Sequence, residues 1–175
     1  MPDLAALLAR MTVRVTSPDG RVRAELRGRR VAVSFASAEA YSGYRDATVL
    51  ASQVSAVLTS AYAAADRGRR RLVDEHTSLH VEDGPHWDPG RRRLHEEWDA
   101  LQAVGESSGG RVRVTVVGLR EWRVAIVAGT LQRLNAARFL GELDAAVSDA
   151  RRAYAEALYD LKTAHLGRLG EPRRP

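Results

Sequence analysis

An internal repeat constrains the fold of this chain more than any other feature of its sequence. The segment Gly-Arg-Val-Arg-Ala-Glu-Leu-Arg-Gly at 20–28 returns as Gly-Arg-Val-Arg-Val-Thr-Val-Val-Gly at 110–118, an offset of 90 residues. Further along, residues 30–33 align with residues 123–126 at an offset of 93, which predicts a second turn three residues longer than the first. A repeated supersecondary unit leaves an apolar face that a neighbouring copy can cover. The chain is therefore predicted to hold two copies of one unit that fold against each other.

Both copies show the same order of apolar patterns, namely a short helix, three strands and a long helix. Alternation with a period of two predicts half-buried antiparallel strands. The predicted strands are about 12–17, 21–27, 30–36, 102–106, 111–117 and 121–128. Apolar residues at helical spacing predict long helices over about 46–75 and 136–166, with Asp46 and Asn135 as N-caps.

The pattern predicts an α+β fold in which two helix–three-strand–long-helix units form an intramolecular pseudo-dimer. Three short strands and one helix leave an open sheet edge, and a second copy can protect it across an approximate twofold axis. The predicted boundaries are 1–76 for the first unit, 77–87 for a linker, 88–170 for the second unit and 171–175 for a disordered tail.

Composition narrows the classes of function. The 175 residues contain no cysteine, which excludes disulfides and thiol catalysis. The N-terminal residues lack the pattern of a signal peptide, and no apolar run is expected to cross a bilayer, so a cytoplasmic protein is predicted. The net charge is +5 and Lys162 is the only lysine, so nearly all of the positive charge is arginine. This surplus is compatible with nucleic-acid binding, although a GC-rich genome would also enrich arginine.

Arginines on the predicted strands are the first candidates for a binding surface. Arg21, Arg23 and Arg27 share one strand face, and Arg111 with Arg113 share the equivalent face of the second copy. Joined across the pseudo-twofold axis, they would form one basic stripe that binds a phosphate backbone without reading bases. The alternative is an ordinary solvated sheet face.

Two further arginine clusters lie near helix ends. Arg69, Arg70 and Arg71 end the first long helix, where cations are favourable on dipole grounds alone. A second cluster opens the second short helix and consists of Arg91, Arg92 and Arg93. Cations are unfavourable at a helix N-terminus, so a partner anion would relieve the cost of this second cluster, although its acidic neighbours Glu96 and Glu97 can also offset it.

No catalytic, metal or cofactor site is predicted. Ser17, Ser107 and Ser108 occupy turn positions, and no phosphate-binding glycine loop precedes a helix. The histidines near the linker lack a recognised ligand spacing.

The glycine-rich hairpin and its flanking elements resemble the YbaB/EbfC family of small nucleoid-associated proteins. The similarity is carried by Val104 to Val116 and Gly118, and less closely by Val15 to Leu26 and Gly28. It implies a dimeric α+β fold, binding to duplex DNA with little sequence preference in the nucleoid, and no enzymatic activity. Family members are usually single units that dimerise, whereas this chain would be a tandem version with a shortened first helix.

The resemblance also implies an alternative function. Divergent actinobacterial copies occur beside genes for specialised secretion, so the chain could instead be a protein-interaction module, an accessory factor of such a system. A continuous basic band across both copies would favour DNA. Arginines paired with acidic side chains beside an apolar surface would favour a protein partner.

Overall fold

A computed structural model of the chain describes residues 4–28, 30–76 and 89–169, with side chains from residue 92 to residue 165 in the last range. The predicted linker at 77–87 and the predicted tail at 171–175 lie outside the described residues.

The described chain is α+β and contains two three-stranded antiparallel sheets, each followed by a long helix. The first unit consists of α1 (Leu4–Arg10), β1 (Thr12–Thr16), β2 (Val22–Arg27), β3 (Arg30–Phe35), α2 (Ala38–Ser42) and α3 (Ala47–His76). The second unit consists of α4 (Pro89–Asp99), β4 (Gln102–Glu106), β5 (Val112–Val117), β6 (Glu121–Ile126), α5 (Thr130–Arg133) and α6 (Ala136–Leu169). The strand orders are β1-β2-β3 and β4-β5-β6. The predicted α+β class and the two repeated sheet–helix units are confirmed, whereas α2 and α5 were not predicted because single turns carry no readable period.

The long helices show the repeat residue by residue. Six buried positions of α3 recur 89 residues later in α6, as Leu50, Val54, Val57, Leu58, Ala61, Ala65 and then Phe139, Leu143, Ala146, Val147, Ala150, Tyr154. The predicted N-caps are confirmed. The Thr48 N–H donates to Asp46 Oδ1 at 2.7 Å, and the Arg138 N–H donates to Asn135 Oδ1 at 2.9 Å.

The strand register corrects the alignment of the third strands. Arg27 pairs with Arg30 in the first sheet, and Val117 pairs with Glu121 in the second. The true offset at the third strand is therefore 91 rather than 93, and the second turn is one residue longer rather than three. A shift of two residues leaves every side chain on the same face of a strand, so the apolar pattern could not distinguish the two alignments.

Each long helix packs on strands of both units. Helix α3 lies against β1 and β2 and also against β6, while α6 lies against β4 and β5 and also against β3. The β6 edge is covered by hydroxyl groups of α3, because the Val124 N–H donates to Ser55 Oγ at 2.8 Å and the Trp122 N–H donates to Thr59 Oγ1 at 3.0 Å. Buried residues of the two units consequently form one hydrophobic core.

Helix α3 is both long and apolar. By length and hydropathy α3 could span a bilayer, and it is the one described helix for which this is so. Its most buried side chains face the two sheets, and the core helices of soluble proteins share this composition.

Candidate nucleic-acid interface

The outer face of the first sheet carries an excess of arginine. Alternation places Arg14, Arg23, Arg27 and Arg30 on this side together with a single acid, Glu25. We call these five residues the first-sheet basic face. The Arg14 Nε donates to Glu25 Oε2 at 2.8 Å, which neutralises one arginine.

The three remaining arginines of the first-sheet basic face lack an acidic partner within the described part of the chain. Arg27 and Arg30 are directly opposite each other in the ladder, and the third residue of that row is the neutral Thr12. Like charges directly opposite across a strand pair are destabilising. An external anion placed above this row would relieve the repulsion.

The end of α3 adds to the same region. Arg69 donates from its guanidinium to the Gly28 carbonyl at 3.3 Å, which fixes it beside the β2–β3 turn. Arg70 is paired with Asp66 at 2.9 Å, and Arg71 is exposed. Of the predicted helix-end cluster, Arg69 is thus held next to the basic face, while Arg70 is neutralised within its own helix.

The equivalent face of the second sheet is electrically balanced. Arg113 donates from Nε to Glu106 Oε1 at 2.7 Å, and Arg123 donates from Nε to Glu121 Oε1 at 2.7 Å. Val104, on the same face, has 43% of its surface exposed. The stripe predicted across both copies is therefore basic in the first unit and neutral in the second.

The remaining predicted arginines lie elsewhere. Arg21 turns towards the end of α2, where its guanidinium lies 5.6 Å from the centre of the Tyr44 ring. Arg111 NH1 is 3.7 Å from Glu142 Oε1. Arg92 and Arg93 are exposed on α4, which packs on α6, and the Arg91 side chain lies outside the described set.

Sequence reasoning missed two members of the first-sheet basic face, Arg14 and Arg30. The signal was present, because the predicted inward positions of β1 and β3 place both residues on the outer side. What the pattern could not show is that Glu25 pairs with Arg14 rather than with one of its other neighbours.

The β1–β2 turn holds a carboxylate in a dense set of hydrogen bonds. Asp19 accepts from the Ser17 hydroxyl at 2.6 Å, from the Arg21 N–H at 3.0 Å and from the Tyr44 hydroxyl at 2.5 Å. Desolvation opposes ionisation, yet these hydrogen bonds outweigh it and lower the pKa of Asp19 below its ordinary value. Burial and the bond to Asp19 raise the pKa of the Tyr44 hydroxyl, which therefore stays protonated as the donor.

Replacing Asp19 with asparagine is expected to destabilise the protein most at neutral pH. Since the pKa of Asp19 is lower in the folded protein than in the unfolded chain, its stabilising effect is fully present above its ordinary pKa and is lost as the pH falls through the lowered pKa. Urea unfolding of both proteins at about pH 7 and about pH 3 measures the difference. Asp74→Asn, an exposed change on α3, is the control. An unchanged difference at the two pH values would contradict the assignment.

The described residues contain no group of three His, Cys, Asp or Glu side chains that could hold a metal ion. No protein-family model, no curated protein and no solved structure gives a significant match to the chain.

Proposed function

We propose that this protein binds the backbone of duplex DNA with little sequence preference and without catalysis, as a tandem, pseudo-dimeric relative of the YbaB/EbfC proteins. The observation that carries the proposal is the Arg27–Arg30 row together with Arg23, which lies beyond Glu25 on β2. None of these three arginines has an acidic partner among the described residues. Guanidinium groups form hydrogen bonds and ion pairs with phosphate oxygens. A solvated sheet face would contact the phosphates and not the edges of the bases, so little sequence preference is expected.

The reciprocal packing of the two units supports the pseudo-dimeric part of the proposal. Helix α3 packs on a strand of the second unit, and α6 packs on the corresponding strand of the first. A homodimer with a twofold axis shows the same exchange of contacts between its protomers. Duplication within one chain then leaves each unit free to diverge, so that one sheet face can remain basic while the other becomes neutral.

The affinity for DNA is expected to fall as salt rises and to depend on Arg27 and Arg30. A labelled duplex should bind in low salt, and three phosphate contacts should weaken its affinity roughly 40-fold between about 50 and about 200 mM salt. The Arg27→Gln/Arg30→Gln variant should lose about two units of the slope of log K against log salt and about tenfold in affinity at low salt. Fluorescence anisotropy with two duplexes of unrelated sequence measures the affinity, its salt dependence and the absence of sequence preference.

The matched control is Arg113→Gln/Arg123→Gln, which removes two arginines from the neutral face of the second sheet. Because both are already paired with carboxylates, this variant should retain DNA affinity within about twofold of wild type. No affinity of the wild-type protein at low salt would overturn the proposal, as would equal losses in the two double variants.

A protein-interaction module is the second candidate, and the outer face of the second sheet favours it. Its arginines are paired with acids and lie beside Val104, a pattern expected for a protein interface rather than for a phosphate backbone. The partner would be a protein, for example one belonging to a specialised secretion system. Failure of the DNA titration, with the folded state intact, would leave this candidate as the better account.

A further inference from the structure

The turn between the first two strands differs in its chemistry between the two units. In the first unit the turn supplies its own anion, because the Asp19 carboxylate is bound by Ser17, Tyr44 and the Arg21 N–H. In addition, the Asp19 N–H donates to the Gln53 side-chain oxygen at 3.2 Å. The first-unit turn is therefore internally satisfied.

The second-unit turn has no carboxylate at the position of Asp19, and arginines replace uncharged residues near it. Gly109 stands 90 residues after Asp19, so no side chain is present there. At the offset of the long helices, Arg133 stands in the position of Tyr44, Arg138 in that of Val49 and Glu142 in that of Gln53.

Arg133, Arg138 and Glu142 line an open cavity of about 360 Å³ at the start of α6. Its polar lining includes Ser108, Arg111, Arg133, Arg138 and Glu142. Three guanidinium groups therefore face one carboxylate, which leaves a net charge of about +2 in the cavity. Arg133 and Arg138 make no ion pair with any described residue, whereas Arg111 lies 3.7 Å from Glu142.

Glu142 gives the cavity a second chemical feature. Its Oε2 atom is buried and has no hydrogen-bond partner in the described part of the molecule. The Glu142 side chain as a whole keeps 17% of its surface exposed and lines the cavity, so the carboxylate can accept a hydrogen bond from a ligand hydroxyl or amino group.

We propose that this cavity binds a phosphate ester that also carries a hydroxyl or amino donor. The phosphate would be held by Arg133 and Arg138, in the region where the first unit places the Asp19 carboxylate, and the donor would reach Glu142. A volume of about 360 Å³ fits a phosphate with a small sugar or nucleoside attached. The ester could be a free small molecule or part of a nucleic-acid backbone. The site is separate from the first-sheet basic face, so it does not depend on the function proposed above.

Isothermal titration of the full chain with ribose 5-phosphate tests the proposal, with inorganic phosphate and ribose as comparison probes. Ribose 5-phosphate should bind with a dissociation constant of about 1 mM or tighter, inorganic phosphate more weakly, and ribose not at all. Arg133→Gln/Arg138→Gln should weaken binding at least tenfold. Arg113→Gln, whose arginine is paired with Glu106 outside the cavity, should leave it unchanged.

A second variant gives the second-unit turn two residues of the first-unit turn. Gly109→Asp/Glu142→Gln supplies the turn with an internal carboxylate and an amide, as in the Asp19–Gln53 arrangement. It should abolish ribose 5-phosphate binding while leaving the unfolding midpoint near that of wild type. Retention of binding in this folded variant would overturn the proposal.

A short labelled duplex distinguishes the two sources of the ester. If ribose 5-phosphate fails to bind but Arg133→Gln/Arg138→Gln weakens the duplex while Arg113→Gln does not, the site takes backbone phosphate, which supports the proposal. If neither probe depends on Arg133 and Arg138, the proposal is wrong. Binding of ribose 5-phosphate by a protein without DNA affinity would support this site and overturn only the function proposed above.

Discussion

Replacing Gly105 with alanine is expected to destabilise the protein by about 3 kcal/mol or more, the upper range for an overpacked core. An added Cβ would lie 2.0 Å from the Ala150 nitrogen and 2.4 Å from the Ala146 carbonyl oxygen. Both are backbone atoms of α6, so no side chain can rotate away, and the helix must move off β4. Chemical denaturation followed by circular dichroism measures the loss, which should appear as a lower midpoint with an unchanged slope.

Gly110→Ala is the matched control for removing a glycine from the same hairpin. Gly110 has a positive φ of 64° and no atom of the described residues lies within 4 Å of its added Cβ, so only backbone strain of about 1–2 kcal/mol is expected. Equal losses in the two variants would show that the close approach of β4 to α6 is not what requires Gly105. The equivalent residue of the first unit is Val15, so this approach is a feature of the second unit alone.

Replacing Trp122 with alanine is expected to cost about 3–5 kcal/mol. Trp122 has 1% of its surface exposed, and its ring stacks on Tyr62 of α3 with the ring centres 4.4 Å apart. The change removes a large side chain from the second unit at a contact with the first. Because both units share one core, they should unfold together in a single transition at a lower midpoint.

The control for Trp122 is Trp98, which lies on α4 and is only partly buried. Lys162 covers its ring at 4.7 Å from the ring centre. Trp98→Ala should cost about 2 kcal/mol or less, since solvent already reaches the side chain. Two separate transitions in the Trp122→Ala protein, one matching wild type, would contradict a shared core and with it the pseudo-dimeric arrangement proposed for the chain.

The glycine and tryptophan experiments measure stability, whereas the DNA titration measures binding to the first-sheet basic face. The glycine and tryptophan variants test how the units are held together, whereas Arg27→Gln/Arg30→Gln changes a solvated face and should leave stability almost unchanged or slightly raised. Removing the two like charges that face each other across the strand pair relieves their repulsion. A loss of DNA affinity in that variant therefore cannot be attributed to unfolding.

Local pattern in the sequence was sufficient to predict the six strands and all the helices except α2 and α5. The alternation in β2 and β5 defined inward and outward positions, and the apolar spacing of the long helices identified their buried stripes. Asp46 and Asn135 marked the helix starts because their side chains act on N–H groups only two or three residues away. All of these signals depend on neighbours within about one turn or one strand, which is why they could be read without coordinates.

The sequence by itself determined that the chain is two copies of one α+β unit with an arginine-rich surface. Only the tertiary structure decided which arginines keep their charge unopposed, that Ser55 and Thr59 cover the β6 edge, and that Arg133, Arg138 and Glu142 meet at one cavity. The physical reason is distance along the chain. Ion pairs and cavities join residues from separate elements, and their partners are fixed by packing and register, which no local period encodes.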